Sequence, residues 1–393
     1  MSKSALITSL TVSLLVCACG GGGGDSAPVS VPNAQALFVG PGPANNVNLL
    51  FTTVEICTPG SASACQSIDH VLVDTGSSGL RILASVVDPS LSLPQQTGAS
   101  GRPLVECGQF VVGFVWGPVK IADVRIAQEL ARSTPIQLIA DPAFPLVPAN
   151  CSSMGGTALN TAELIGANGV LGVSMFAQDC GATCEGITSP GVYFECAGSS
   201  CQATPASLAQ QLQNPVTLFT QNNNGVVIDL PSVAPGGART VTGSLIFGIG
   251  TQGNNAMGSA QVIRVNPTNG VFTTVLNNTS YGNSFIDSGS NALYFGNPGI
   301  PACSNPDFFC PGATQILSAT LHGTSGSASV NFSVANAEAL FSNNPGFFAF
   351  SDLAGPNASD TFDWGLPFFF GRKVFIAIAG QDTPAGVGPY VAF

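Results

Sequence analysis

Val71-Leu72-Val73-Asp74-Thr75-Gly76-Ser77-Ser78-Gly79-Leu80 returns in the second half of the chain as Ser284-Phe285-Ile286-Asp287-Ser288-Gly289-Ser290-Asn291-Ala292-Leu293. Each copy reads as an apolar strand, an Asp, a hydroxyl residue, a Gly, a Ser and then a Leu. The apolar runs have the length and β-branched content of buried strands. The Gly two residues after each Asp lets the backbone turn sharply away, so a carboxylate is aimed from the end of a strand. A single Asp-Thr-Gly is ordinary turn chemistry. Two copies make an internal repeat and a site candidate.

Composition agrees with a strand-rich fold. The chain has 393 residues, 45% of them apolar, enough for one large core or two medium ones. Charged residues are only 8%, against about 25% in an average domain, while Gly 47 and Pro 28 supply many turns. This excludes coiled coils and charge-driven disorder and favours short strands joined by turns. The net charge of −11, with Lys and Arg scattered, excludes a phosphate-tracking surface, so no nucleic-acid partner is expected.

The N-terminal residues carry an address. Lys3 precedes an apolar stretch from Ala5 to Val16, and Val16-Cys17-Ala18-Cys19 follows. This resembles a bacterial lipobox. The resemblance implies that 1–18 is a signal peptide, that Cys19 is acylated and that 19–45, with Gly20 to Gly24, is a tether. It also implies a cell-envelope location at the outer membrane, because Gly20 is uncharged. No later segment reaches 18 uninterrupted apolar residues, so no membrane-spanning helix is expected.

Cysteine arithmetic fits that compartment. Of twelve cysteines, Cys17 leaves with the signal and Cys19 is lipidated, leaving an even number. Cys57 with Cys65, Cys180 with Cys184, Cys196 with Cys201 and Cys303 with Cys310 are close pairs separated by turn residues. Cys107 and Cys151 remain. Zinc is the competing reading, but the chain has two histidines, His70 and His322, and lacks ligand spacing, so disulfides are expected and no metal.

With the two motifs in view, the sequence resembles the pepsin-like aspartic proteases, in which each of two lobes supplies one Asp. The resemblance covers most of residues 46 to 393. Phe51-Thr52-Thr53-Val54-Glu55-Ile56 looks like the family's opening hairpin, and Asn168-Gly169-Val170-Leu171-Gly172 like the apolar-apolar-Gly segment beside the active-site loop. Gly243-Ser244-Leu245-Ile246-Phe247-Gly248 resembles the strand that opens the second lobe. Trp364-Gly365-Leu366, Arg372 to Ile378 and Val387 to Phe393 resemble the C-terminal stretch. The whole also resembles a group of bacterial lipoproteins known only as a domain of unknown function. The fold implied is all-β and bilobal, two related β-barrel-like lobes with a cleft between them, the first over 46–232 and the second over 233–393.

The sequence departs from the pepsin-like pattern in three places. Arg81 stands where the family carries Trp. The flap hairpin falls on Glu106-Cys107-Gly108-Gln109-Phe110, with Cys107 in place of Tyr. Pro367 stands where a second-lobe Gly is expected after two apolar residues. Loss of the Tyr and Trp removes a hydrogen bond that orders the flap, and a Cys107–Cys151 bridge is the expected substitute.

By resemblance, Asp74 and Asp287 are the catalytic dyad. Thr75 and Ser288 would cross-link the two loops, Gly76 and Gly289 would offer N–H groups to the carboxylates, and Ser77 and Ser290 would bond their outer oxygens. Two carboxylates brought together hold one proton between them, the state needed for acid–base catalysis without metal, cofactor or covalent intermediate. No Gly-x-Ser-x-Gly elbow occurs and no P-loop follows the glycine run. His70 alternates onto the Asp74 face of its strand and reads as a half-buried surface histidine. A short helix is expected from Ser207 to Leu212, before Pro215. The expected function is acid-type peptide hydrolysis by a monomeric, membrane-anchored lipoprotein acting on a peptide or protein substrate. The alternatives are a binding lipoprotein that uses the same cleft without catalysis, and a structural envelope lipoprotein.

Overall fold

The computed structural model describes residues 32–393, apart from 154, 155, 189, 190, 199 and 359. The expected signal peptide, the expected acylation site Cys19 and the expected Gly20–Gly24 tether lie outside the described residues. The fold is all-β and bilobal, with 43% strand and 9% helix.

The first lobe is a closed six-stranded barrel. Leu50–Cys57 pairs with Cys65–Asp74, which runs parallel to Gly169–Val173; Ser78–Leu83, Glu129–Ile139 and Gly113–Ile126 follow, and the last pairs back to Leu50–Cys57. The strand Gly113–Ile126 is long enough to do two jobs. Its C-terminal half closes the barrel, and its N-terminal half pairs with Leu104–Phe110 as a hairpin projecting from it. Closure removes the open edges that short Val- and Ile-rich strands would otherwise expose.

The second lobe is a seven-stranded half-barrel sheet from Phe272–Leu276 to Thr361–Trp364. Aromatic stacking fills it: Phe362 lies on Trp364 with centroids 4.3 Å apart and on Phe295 at 4.7 Å. Between the lobes runs an antiparallel series, Ala34–Val39, Val241–Phe247, Gly225–Leu230, Arg372–Ala377 and Tyr390–Ala392. One apolar cluster is continuous through all three regions, from Val73 and Leu171 through Phe247 and Ile376 to Phe362 and Trp364.

The five expected disulfides form: Cys57–Cys65, Cys107–Cys151, Cys180–Cys184, Cys196–Cys201 and Cys303–Cys310. Two local expectations fail. Ser207 to Leu212 makes only one turn, closed by Gln210 and Gln211 N–H groups on the Ser207 carbonyl, and no helix. Gln211 is fully buried and spends its amide on the Gly181 and Ala206 carbonyls, which fixes the chain in a loop. His70 does not continue the strand alternation towards Asp74. Its φ of 49° breaks the pleat, and the ring packs edge-on against Phe38 and Phe51 beside Asp69.

Candidate active site

Each Asp loop is built the same way. Cys65–Asp74 pairs in parallel with Gly169–Val173, with Leu72 opposite Val170 and Asp74 opposite Gly172. Thr279–Ile286 pairs in parallel with Thr361–Trp364, with Phe285 opposite Asp363 and Ile286 opposite Trp364, and Asp287 N–H donates to the Trp364 carbonyl at 3.1 Å. The strand leaving each loop returns antiparallel to the same partner, placing Leu80 opposite Leu171 and Leu293 opposite Trp364. Gly365 therefore occupies the place of Gly172. A Cβ on Gly172 would lie 2.7 Å from the Ser77 carbonyl, and one on Gly365 would lie 2.7 Å from the Ser290 carbonyl. The glycine expected at Pro367 is present, two residues earlier; Asp363 interrupts the apolar pair that should announce it.

The loops are locked to each other reciprocally. Thr75 N–H donates to Ser288 Oγ at 3.1 Å, and Ser288 N–H donates to Thr75 Oγ1 at 2.9 Å. Each hydroxyl then donates to the opposite strand, Thr75 to the Ile286 carbonyl at 3.2 Å and Ser288 to the Val73 carbonyl at 2.7 Å. Gly76 N–H reaches Asp74 Oδ1 at 2.7 Å and Gly289 N–H reaches Asp287 Oδ1 at 2.8 Å. Ser77 Oγ bonds Asp74 Oδ2, and Ser290 Oγ donates to Asp287 Oδ2 at 2.8 Å.

This wiring presses the two carboxyl groups together. A Cβ on Gly76 would lie 2.9 Å from Asp287 Cγ, and one on Gly289 would lie 2.8 Å from Asp74 Oδ1, so only glycine permits the approach. Burial, then the like charges of Asp74 and Asp363, push the Asp287 carboxyl well above the usual carboxylate range, against the opposing Gly289 N–H. The pair can thus hold one proton where water reaches it, since Asp287 is only partly buried.

The hairpin Leu104–Phe110 and Gly113 onwards turns at Val111 and Val112, both strongly exposed. Glu106, Cys107, Gly108 and Gln109 form its stem rather than its tip. Cys107 faces Trp116, Phe194 and Cys151 on one side, and Gln109 Nε2 donates to the Cys151 carbonyl at 3.2 Å. The other side meets Arg81, which sits in the strand leaving the Asp74 loop. Its guanidinium pairs with Glu106, approaches Asp179 at 3.3 Å, lies 5.8 Å from the Phe110 ring centroid and donates to the Ser78 carbonyl at 2.8 Å. A Cβ on Gly108 would lie 3.1 Å from Arg81 Nε. Tyr193 OH donates to Asp179 Oδ1 at 2.7 Å, and burial together with Glu106 pushes Asp179 well above its ordinary value despite Arg81. Arg81 thus tethers the hairpin on the face opposite the disulfide.

Asp363 and Asp179 escaped the sequence reading. Asp363 carried a signal, a single acid inside the apolar run Phe362-Asp363-Trp364 before a glycine; Asp179 carried none. The ten paired cysteines leave no thiolate for a zinc site among the described residues.

The chain belongs to the family described as Protein of unknown function (DUF3443), which matches residues 29–393. No curated protein matches it.

Proposed function

We propose that the protein is an aspartic-type peptidase of the pepsin-like kind, in which Asp74 and Asp287 share one proton and one water. The observation that carries this reading is the reciprocal Thr75–Ser288 lock, which presses two carboxyls together so that one must stay protonated. The ionised member takes a proton from the water as its oxygen bonds to the peptide carbonyl carbon. The protonated member gives its proton to the carbonyl oxygen, leaving a neutral gem-diol. A second exchange moves a diol proton to the pair and the pair's proton to the amide nitrogen. The C–N bond breaks, and the pair again holds one proton.

A peptide or protein substrate would lie across the dyad beneath the Val111–Val112 end of the hairpin. In this reading the protein works as a monomer, held through Cys19 in the outer membrane of a bacterial envelope; a fatty-acid label absent from the wild type would remove the anchor. The test of the activity is a mixed peptide library incubated with the mature protein from pH 3 to 7. Cleavage should peak on the acid side, and Asp74→Asn and Asp287→Asn should each abolish it. A pepstatin-like inhibitor should raise the melting temperature of the wild type more than that of either variant. No cleavage and no inhibitor shift would replace the peptidase by a binding lipoprotein that uses the same cleft.

A further inference from the structure

The first lobe closes into a barrel and the second does not. The half-barrel sheet ends on Ser327–Val334, whose eight residues pair with Gln315–His322 in unbroken register. Antiparallel ladders alternate bonded and non-bonded pairs. Gly323 N–H donates to the Gly326 carbonyl at 3.0 Å, so the alternation turns the N–H and C=O groups of Ala328, Val330 and Phe332 towards Gln315–His322 and those of Ser329, Asn331 and Ser333 outward. Arg264 N–H donates to the Ser325 carbonyl at 2.9 Å and covers the edge at its turn. Beyond that turn no strand among the described residues pairs with it. Long exposed edges are normally blunted by Lys, Pro or a bulge. This strand has none of them, and Phe308 to Ala337 contains no Asp, Glu, Lys or Arg. The edge borders a groove of about 220 Å³, lined by Asn331 and Phe332 of the strand and, from the chain after Gly365, by Pro367, Phe370 and Arg372. Arg372 is half-buried, gives an N–H to the Phe368 carbonyl at 2.6 Å and lies 4.8 Å from the Phe368 ring centroid. Among the described residues no carboxylate pairs with it, and burial pushes its guanidinium down with no anion to offset the shift.

We propose that this edge takes up the C-terminal end of an extended peptide as an added strand, with the peptide's terminal carboxylate on Arg372 and its last apolar side chain against Phe332 and Phe370. The outward N–H and C=O groups of Ser329, Asn331 and Ser333 are the pattern that a further strand satisfies through its own backbone. An unpaired, half-buried guanidinium calls for an anion, and its planar fork matches a carboxylate through two parallel bonds. The groove is smaller than the about 300–1,000 Å³ of an ordinary ligand pocket, so it suits the end of a chain rather than a length running through. The acid-free stretch from Phe308 to Ala337 lets an anionic chain end approach a protein whose net charge is −11. A second copy of this chain, paired edge to edge about a two-fold axis, would bring the same uncharged strand and the same arginine, and no carboxylate. The site uses neither Asp of the dyad and does not rest on the peptidase reading.

The probe is the peptide Gly-Ser-Thr-Val-Val, labelled with fluorescein at its N-terminus and titrated with the whole protein near neutral pH, where its terminal carboxylate is ionised. Fluorescence anisotropy should show binding of the free acid and about ten-fold weaker binding of the C-terminal amide, the loss of one charge-assisted contact. Arg372→Met should weaken the free acid by a similar factor and leave the amide unchanged. Asn331→Pro removes an outward N–H and no ladder bond, a replacement that edge strands accept, and should weaken both probes. In the wild type, hydrogen exchange at the Asn331 and Ser333 amides should slow on saturation with the free acid, a readout that needs no variant. A pepstatin-like inhibitor should leave the probe in place, which separates this edge from the cleft. Absence of binding, equal affinity for acid and amide, or displacement by the inhibitor would overturn the proposal. So would an amide-capped peptide with an internal Asp that binds as tightly as the free acid, or a dimer in size-exclusion chromatography that Asn331→Pro dissociates.

Discussion

Arg81→Met is the most informative single change outside the dyad, because among the described residues Arg81 is the only cation paired in a buried cluster that also holds Glu106 and Asp179. Burial and Glu106 push Asp179 upward despite Arg81, so removal of the guanidinium leaves the buried Glu106–Asp179 pair without its counter-charge. Breaking a buried pair in this way costs about 3–5 kcal/mol, far more than an exposed one. The sign of the pH dependence follows. In the variant the stranded pair binds a proton more tightly folded than unfolded, so the penalty is full at pH 7 and fades as the pH falls towards 4. Adding Glu106→Gln removes the charge and should return most of the loss. Urea unfolding of the four proteins of this cycle at pH 4 and pH 7 measures both effects, with an expected coupling above about 2 kcal/mol at pH 7. Hydrogen exchange should rise in the hairpin stem from 104 to 118 in the single variant alone. A loss under about 1 kcal/mol at pH 7, or one equal at the two pH values, would refute the tether, since it would match an exposed pair.

Wild-type stability should fall as pH rises from about 4, because Asp179, Asp287 and Asp363 keep protons in the folded chain that unfolded aspartates release; each contributes a slope of about 1.4 kcal/mol per pH unit below its folded pKa. A flat stability profile from pH 4 to 7 would contradict those protonation states. Joint replacement of Cys107 and Cys151 by Ala, closing 44 residues of chain in the wild type, should cost roughly 4 kcal/mol by loop entropy, against roughly 2.5 kcal/mol for the 8-residue Cys57–Cys65 loop. Differential scanning calorimetry would rank the two, and equal losses would remove the hairpin's covalent anchor from the account. Gly76→Ala should separate the carboxyls and abolish both cleavage and the inhibitor-dependent melting shift while the chain still folds; retained turnover would show that the close approach is not needed.

The site was legible where chemistry demands the same short string twice. Asp-Thr-Gly-Ser and Asp-Ser-Gly-Ser specify a turn, a carboxylate and its donors within a few residues, so local sequence suffices. The Cys107–Cys151 bridge was legible by exhaustion of the other pairs. Features set by distant partners were not. Ser207 to Leu212 has a capping serine and a following proline, but burial of the Gln211 amide against two carbonyls decides the loop. His70 has strand neighbours, yet its positive φ appears only once the Leu50–Cys57 partner shifts register. Gly365 was hidden because Asp363 breaks the apolar pattern that marks its counterpart Gly172.

A duplicated architecture poses a problem that its own symmetry cannot solve. Two identical carboxyls in identical loops would share a proton equally, yet general acid and general base roles need the proton on one and not the other. Here the loop bonds are matched pair by pair, so the inequality must arise one layer out. The repeats differ at two neighbouring register positions. Val170 and Arg81 face each other in the first repeat, and Asp363 and Tyr294 face each other in the second. Arg81 is directed away, into the hairpin stem, where Glu106 neutralises it. Asp363 lies buried on the strand paired with the one that leads to Asp287, and its charge helps to push Asp287 upward. The first repeat spends its polar residue on holding the hairpin, the second places a further carboxyl beside the dyad, and both groups lie buried.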